Sequence, residues 1–131
     1  MSQLAPIIIV TGTGTGSGIG IGIGKTVTPA AIVVGLRAQG LRLVVVKPTQ
    51  TGLLPGEPGD LHDICRLAGE VENHEFVRLP TRSHPMQPGA WRAWRYPPVA
   101  EHPARLAEIS GRDDVDLVLV EGAGGLLTHR C

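Results

Sequence analysis

The sequence is poor in most of the features that assign a chain to a functional class. Its 131 residues include one Phe, one Tyr and two Trp, so a hydrophobic core must be built from Val, Ile, Leu and Ala. Acidic and basic residues balance at 12 each, which argues against nucleic acid or an anionic membrane as a partner. One aromatic cluster, at residues 91–96, is too small a stacking surface to change that expectation.

Cysteine and long apolar runs are scarce as well. Cys65 and Cys131 are too few for a disulfide framework and fit a reducing compartment. The five histidines lack metal-ligand spacing. No apolar run approaches the roughly 20 residues of a membrane span, and the N-terminus lacks the basic leader of a signal peptide. We therefore expect a cytoplasmic protein, and the length allows one domain with one core.

Lysine is the scarcest charged residue. Lys25 and Lys47 are the two lysines among twelve basic residues, and the other ten are arginine. A lysine carries a compact ammonium and an arginine a planar guanidinium, so two isolated lysines indicate places that need a point charge. Each follows an apolar run, residues 7–10 before the glycine segment and residues 43–46 directly before Lys47. Both lysines are therefore candidates for binding phosphate.

The segment before Lys25 is an unusual glycine repeat. From residue 12 to residue 24 every glycine stands at an even position, which excludes G-x-G-x-x-G and the standard phosphate loop, because both need glycines an odd number of residues apart. A G-x5-G-K-T variant through Gly18 and Gly24 does fit. In that interpretation backbone N–H groups bind phosphate, Lys25 neutralises its charge and Thr26 ligates Mg²⁺. The alternative is a low-complexity repeat without a ligand.

Two carboxylates are candidates for a metal. Glu121 follows the apolar run at residues 116–120 and precedes small residues that let a substrate approach the backbone. Asp60 could ligate Mg²⁺ or simply act as the N-cap of the following helix. Both interpretations of Asp60 stay open.

The order of elements predicts an α/β fold. Continuous apolar runs over residues 6–10, 42–47 and 116–120 predict parallel strands buried on both faces. Apolar spacing predicts helices over residues 26–39, 60–68 and 99–110, with Gly40 and Gly69 ending the first two. We expect one incomplete domain over residues 1–131, a P-loop NTPase-type parallel sheet with flanking helices, truncated after the third recognisable strand. Its parts are a β-loop-α-β unit over 1–47, loop and helix over 48–80, an irregular segment over 81–98, and helix, strand and Gly-rich loop over 99–127.

Several motifs occur in one order along the chain. They are Thr11-Gly12-Thr13-Gly14-Thr15-Gly16 before Lys25-Thr26, Lys47-Pro48-Thr49-Gln50-Thr51-Gly52, Gly59-Asp60-Leu61, Arg66-Leu67-Ala68-Gly69 and Val120-Glu121-Gly122-Ala123-Gly124-Gly125-Leu126-Leu127. In combination they resemble the dethiobiotin synthetase family, and the resemblance covers most of the chain. It implies ATP and Mg²⁺ as cofactors, 7,8-diaminononanoate and CO₂ as substrates, and a homodimer. The implied reaction carboxylates one amine, phosphorylates the carbamate and closes the ureido ring.

The resemblance also implies roles for individual residues. Those implied in catalysis are Lys25, Lys47 and Thr51. Those implied in metal binding are Thr26, Asp60 and Glu121. Those implied in nucleotide binding are Gly12, Thr13, Gly14, Thr15, Gly16, Gly18, Gly24, Lys25, Thr26, Glu121, Gly122 and Gly124.

Three departures from the family bear on activity. Three Ile-Gly copies, residues 19–24, intervene before Lys25; residues 81–98 differ in composition; and the chain stops at Cys131. A longer loop costs little closure entropy, about 0.6 kcal/mol per doubling, whereas a misplacement of about 1 Å at a reacting centre can cost about a hundredfold in rate. We therefore expect a folded chain with weak or no turnover. A non-catalytic remnant and a regulatory P-loop ATPase remain alternatives, although the latter usually carries a further lysine early in the loop.

Overall fold

The computed structural model describes residues 3–12, 23–79 and 99–125. Within these ranges the chain alternates strands and helices. The elements are β1 (Ile7–Gly12), α1 (Ile23–Ala38), β2 (Leu43–Thr51), α2 (Asp60–Ala68), β3 (Glu72–Leu79), a 3₁₀ turn (Val99–Glu101), α3 (His102–Ser110) and β4 (Leu117–Gly125).

The strands form one parallel sheet in the order β1-β4-β2-β3. β4 lies between β1 and β2, so that Val120 is in register with Ile9 on one side and with Val46 on the other. Because all four strands run in the same direction, their carboxyl ends meet at one edge, where open α/β sheets bind ligands. The predicted α/β class with a parallel sheet and flanking helices is confirmed.

Helices cover both faces of the sheet. On one face α1 and α2 pack on alternate residues of β2 and β4. The buried residues of this core are Ala30, Val33, Leu43, Val45, Leu61, Ile64, Leu117 and Leu119. On the other face Leu106 and Ile109 of α3 pack on a second core. Its buried residues are Ala5, Val44, Val46, Val115, Val118 and Val120.

The predicted helix ends are largely confirmed. Gly40 and Gly69 both have positive φ, 83° and 84°, a conformation that glycine adopts without steric cost. After α1 the Gly40 N–H donates to the Arg37 carbonyl at 2.9 Å and the Leu41 N–H to the Leu36 carbonyl at 3.3 Å, which is the Schellman pattern. Pro29 lies deeper in α1 than expected, because the helix begins at Ile23 rather than at residue 26.

Two strands differ from the sequence-based expectation. β1 is not buried on both faces: Ile9 is 64% exposed, because β1 lies at an edge of the described sheet. β3 was not predicted, since the segment 48–80 was expected to contain only a loop and a helix. β3 begins with polar residues and lies at the opposite edge, so its sequence lacks the apolar run of a buried strand.

The two central strands extend further than predicted. β2 continues through Pro48 to Thr51, and its register with β4 ends at Val46. Beyond that point β2 has β3 alone as a neighbour in the described sheet, and a proline without N–H is tolerated at such an edge. β4 continues to Gly125 and pairs there with Gly12. The predicted Gly-rich loop over residues 121–125 is thus strand.

Two of the predictions concern residues that the structure does not describe. Most of the glycine repeat, residues 13–22, and the predicted irregular segment 81–98 lie outside the described residues. Among the helices that are described, none is both long and apolar enough to cross a membrane.

Candidate functional site

Two charged residues continue the buried rows of β2 and β4 at the carboxyl edge. Side chains alternate between the faces of a sheet, so Lys47 follows Val45 and Glu121 follows Leu119 on the face that α1 and α2 cover. Lys47 is 3% exposed and Glu121 1%. Charged residues are rarely buried to this degree unless they are paired.

Lys47 is paired twice, with Glu121 and with Asp60 at the start of α2. Its Nζ lies 2.6 Å from Asp60 Oδ2 and 3.4 Å from Glu121 Oε1. We call Lys47, Asp60 and Glu121 the Lys47 cluster. The three predicted site residues thus converge on one point, and the two carboxylates share one cation.

Asp60 is placed by its backbone rather than by a capping side chain. α2 begins at Asp60 itself, and its N-cap is Gly59 in an extended conformation. The predicted role of Asp60 as N-cap is therefore wrong. Gln50 Oε1 accepts a hydrogen bond from the Asp60 N–H at 3.1 Å, which leaves the Asp60 carboxylate to contact Lys47.

Two residues around Asp60 were missed by the sequence analysis. Gln50 is buried at 2% exposure, and Arg78 of β3 donates to two carbonyls of the loop that precedes Asp60. The motif Lys47-Pro48-Thr49-Gln50-Thr51-Gly52 contains Gln50, so that residue carried a signal. Arg78 carried none, because β3 itself was not predicted.

The end of β1 lies beside the same part of β4. A Cβ placed on Gly122 would be 3.5 Å from the Val10 carbonyl oxygen and 3.6 Å from the Thr11 side chain. Gly122 thus follows Glu121 at the point where β1 leads into the glycine repeat. The ends of β1 and β4 therefore lie side by side at the edge where open α/β sheets bind ligands.

The other predicted site residues are placed only in part. Thr51 is the last residue of β2 and is partly buried, and Thr26 lies partly buried in the first turns of α1. Gly24 and Lys25 belong to α1, Gly12 ends β1, and Gly124 belongs to β4. The side chain of Lys25, together with residues Thr13 to Gly18, lies outside the described residues. The roles expected of these residues stay predictions.

The donor set of the cluster suits a hard divalent cation. Mg²⁺ prefers one or two carboxylates together with phosphate and water oxygens, and Asp60 and Glu121 already converge on one positive charge. In the described part of the chain no group of three or more His, Cys, Asp or Glu residues could hold a metal. Further oxygens, from the Thr26 hydroxyl or from a phosphate, would have to complete a Mg²⁺ site.

A parallel α/β sheet with a charged cluster at its carboxyl edge is typical of nucleotide-binding proteins. A family model described as AAA domain matches residues 7–130. The chain belongs to this family.

Individual curated proteins also match the chain. The chain is 44% identical to an ATP-dependent dethiobiotin synthetase of Streptomyces avermitilis over 106 residues, 80% of this chain and 43% of the relative. It is 43% identical to the synthetase of Streptomyces coelicolor over 126 residues, which are 95% of this chain and 49% of the relative. It is 46% identical to the synthetase of Saccharopolyspora erythraea over 108 residues, which are 80% of this chain and 45% of the relative. The predicted resemblance is confirmed, and the chain spans less than half the length of these relatives.

Proposed function

We propose that this chain carries the phosphoryl-transfer part of a dethiobiotin synthetase site. The observation that supports this most directly is the Lys47 cluster, in which a buried ammonium lies 2.6 Å and 3.4 Å from two carboxylates at the ligand-binding edge. The relatives named ATP-dependent dethiobiotin synthetase support the choice of reaction. The substrates would be ATP, CO₂ and 7,8-diaminononanoate.

The proposed chemistry has three steps. An amine of the substrate adds to CO₂ and loses a proton, which gives a carbamate. A carbamate oxygen attacks the γ-phosphorus of ATP, and ADP leaves. The second amine then attacks the carbamoyl carbon, the ureido ring closes, and phosphate and a proton are released.

Lys47 would stabilise the charge that develops on the carbamate and the transferring phosphoryl group. An ammonium has three N–H donors. Two of them can serve Asp60 and Glu121, and the third can donate to an incoming oxygen. Since phosphoryl transfer depends mainly on positioning and charge stabilisation, a buried lysine is well suited to this role.

The other residues would act on the phosphates and the metal. Lys25 and Thr51 would bind the transferring group, and the backbone around the glycine repeat would hold the ATP phosphates. Thr26, Asp60 and Glu121 would hold Mg²⁺, which when bound neutralises phosphate charge. The backbone from Gly122 to Gly125 would face the diamine.

The Ile-Gly copies at residues 19–24 should weaken this function rather than the fold. We expect Mg·ATP to bind weakly and turnover to be low, because the copies change the spacing between the glycines and Lys25. Deletion of residues 19–24 should raise both. A gain of about tenfold in Mg·ATP affinity is a reasonable expectation, since about 1.4 kcal/mol of recovered phosphate contact would suffice.

The test is calorimetric titration with Mg·ATP together with an assay for dethiobiotin. Lys47→Met should lower turnover of the loop-deleted chain about a hundredfold, as expected for loss of one preorganised charge donor. Arg42→Met, at the other end of β2, is the matched control and should leave it unchanged. If neither chain binds Mg·ATP, the chain is a non-catalytic remnant and the proposed function is wrong.

A further inference from the structure

The loop that joins β2 to α2, residues 52–59, is held by a residue from another strand. Arg78 of β3 donates through Nη1 to the carbonyl of Leu54 at 3.0 Å and to that of Glu57 at 2.6 Å. Both carbonyls are more than 20 positions earlier in the sequence. One guanidinium thus holds the loop that leads to Asp60 at two points, Leu54 and Glu57.

Arg78 is itself fixed by a carboxylate. Its Nε and Nη2 donate to the two oxygens of Glu75 at 2.7 Å and 2.8 Å, and both side chains are mostly buried, with 21% and 23% exposure. A planar guanidinium has five donors, so Arg78 can make all four of these hydrogen bonds at once, whereas a lysine has only three donors.

Gly59 links this contact set to Asp60. A Cβ on Gly59 would lie 2.9 Å from Gln50 Oε1 and 3.3 Å from Arg78 Nη2, so Gly59 packs directly against both side chains. Gln50 Oε1 is the atom that accepts the Asp60 N–H. The Gly59 carbonyl in turn accepts the Asp63 N–H at 3.2 Å, which closes the first turn of α2.

We propose that Arg78 is a positioning residue: with Gly59 and Gln50 it fixes the start of α2, so that the Asp60 carboxylate stays against Lys47. The functional importance of this role rests on the proposed function, in which Asp60 and Lys47 act on the phosphates. The contacts that carry it lie entirely within the described residues.

The first measurement is amide hydrogen exchange in Arg78→Gln and Arg78→Lys. Exchange at Asp60 and Asp63 should become at least about tenfold faster in both variants, because each loses charge-assisted hydrogen bonds to the loop. Exchange at Val33 in the core should not change. Arg66→Gln is the matched control for exchange at Asp60: Arg66 also pairs with a carboxylate three residues earlier, but on the exposed surface of α2. Because that carboxylate is Asp63, exchange at Asp63 is compared between the Arg78 variants and the parent chain only.

The second measurement separates positioning from a merely structural role. With only two lysines in the chain, ¹⁵N-lysine labelling gives two side-chain ammonium signals. Asp60→Asn should move the Lys47 signal, and Arg78→Gln should move it in the same direction. Arg66→Gln should leave it in place.

A second variant, which changes no charge, tests the proposal in case the Arg78 variants fail to fold. Gly59→Ala should displace Gln50 Oε1, because the added Cβ would lie 2.9 Å from it, and should reproduce both effects. Unchanged Asp60 exchange, or faster exchange with an unmoved Lys47 signal, would overturn the proposal. Neither measurement uses ATP, so a chain that fails to bind Mg·ATP would refute the proposed function while these results still decide the role of Arg78.

Discussion

The same two strands carry an acid–base pair at each of their ends, and the two pairs differ in almost every physical respect. At the amino ends of β2 and β4, Arg42 and Asp116 form a fork: Asp116 Oδ2 accepts from the Arg42 N–H at 2.7 Å and from Nε at 3.0 Å, and Oδ1 accepts from Nη2 at 2.8 Å. At the carboxyl ends, Lys47 and Glu121 lie 3.4 Å apart. Their side chains are 57% and 30% exposed in the first pair, but 4% and 1% in the second.

The difference indicates which pair serves the fold and which suits a ligand. The Arg42 pair is satisfied by three hydrogen bonds with fixed geometry and remains hydrated, so it costs little to maintain. Lys47 and Glu121 have lost most of their hydration, and the compact ammonium of Lys47 can redirect its N–H donors. A buried lysine between carboxylates is costly to maintain, which fits the role in phosphoryl transfer that we propose for it.

The largest difference between the two pairs is expected when the cation of each pair is removed in turn. Lys47→Met removes the buried cation that pairs with Asp60 and Glu121 and should lower the free energy of unfolding by about 3 kcal/mol, as when one partner of a buried pair is removed. Arg42→Met should cost clearly less, because its pair is exposed. Urea unfolding of both variants measures the difference. Equal losses would contradict the distinction between the two ends.

A reciprocal exchange of the two cations tests whether their chemical types matter. Lys47→Arg must fit a larger planar group into a buried site, and we expect a loss of about 1–2 kcal/mol in the free energy of unfolding from overpacking. Arg42→Lys loses the fork but stays hydrated and should change stability less. Thermal unfolding of the two single variants decides this. If Lys47→Arg is as stable as the parent chain, the site does not require a compact ammonium.

How far the sequence predicts this molecule depends on which element carries each residue. β2 and β4 are recognisable because residues 43–46 and 117–120 are continuous apolar runs, and Lys47 and Glu121 are predicted to share an edge because each follows such a run. β3 has no such run, since a strand at the edge of a sheet does not need one.

The side chains that hold Asp60 in place, Arg78 and Gln50, were also hard to predict from the sequence. Arg78 reaches the Glu57 carbonyl across 21 positions, and Gln50 reaches the Asp60 N–H across 10. Such hydrogen bonds between a side chain and a distant backbone group leave no periodic pattern in a sequence. The contacts of Arg78 also depend on β3 pairing with β2, which the sequence did not predict.

The mildest test of the comparison is acid, which protonates the carboxylates that pair with arginine at the amino ends of the strands. Hydrogen bonds from the Arg42 side chain and then from its backbone hold the pKa of Asp116 at about 2, below its ordinary 3.8. Arg112 likewise lowers the pKa of Glu72 and of Asp114.

A carboxylate whose pKa is lower in the folded state stabilises the fold above its ordinary pKa and loses that contribution as the pH falls through the folded value. The chain should therefore lose stability between pH about 4 and about 2. Asp116→Asn should reduce this pH dependence while changing stability at pH 7 less than Lys47→Met does. Urea midpoints across this range give the measurement, and an unchanged slope in Asp116→Asn would show that the fork at the amino edge does not hold the Asp116 proton affinity down.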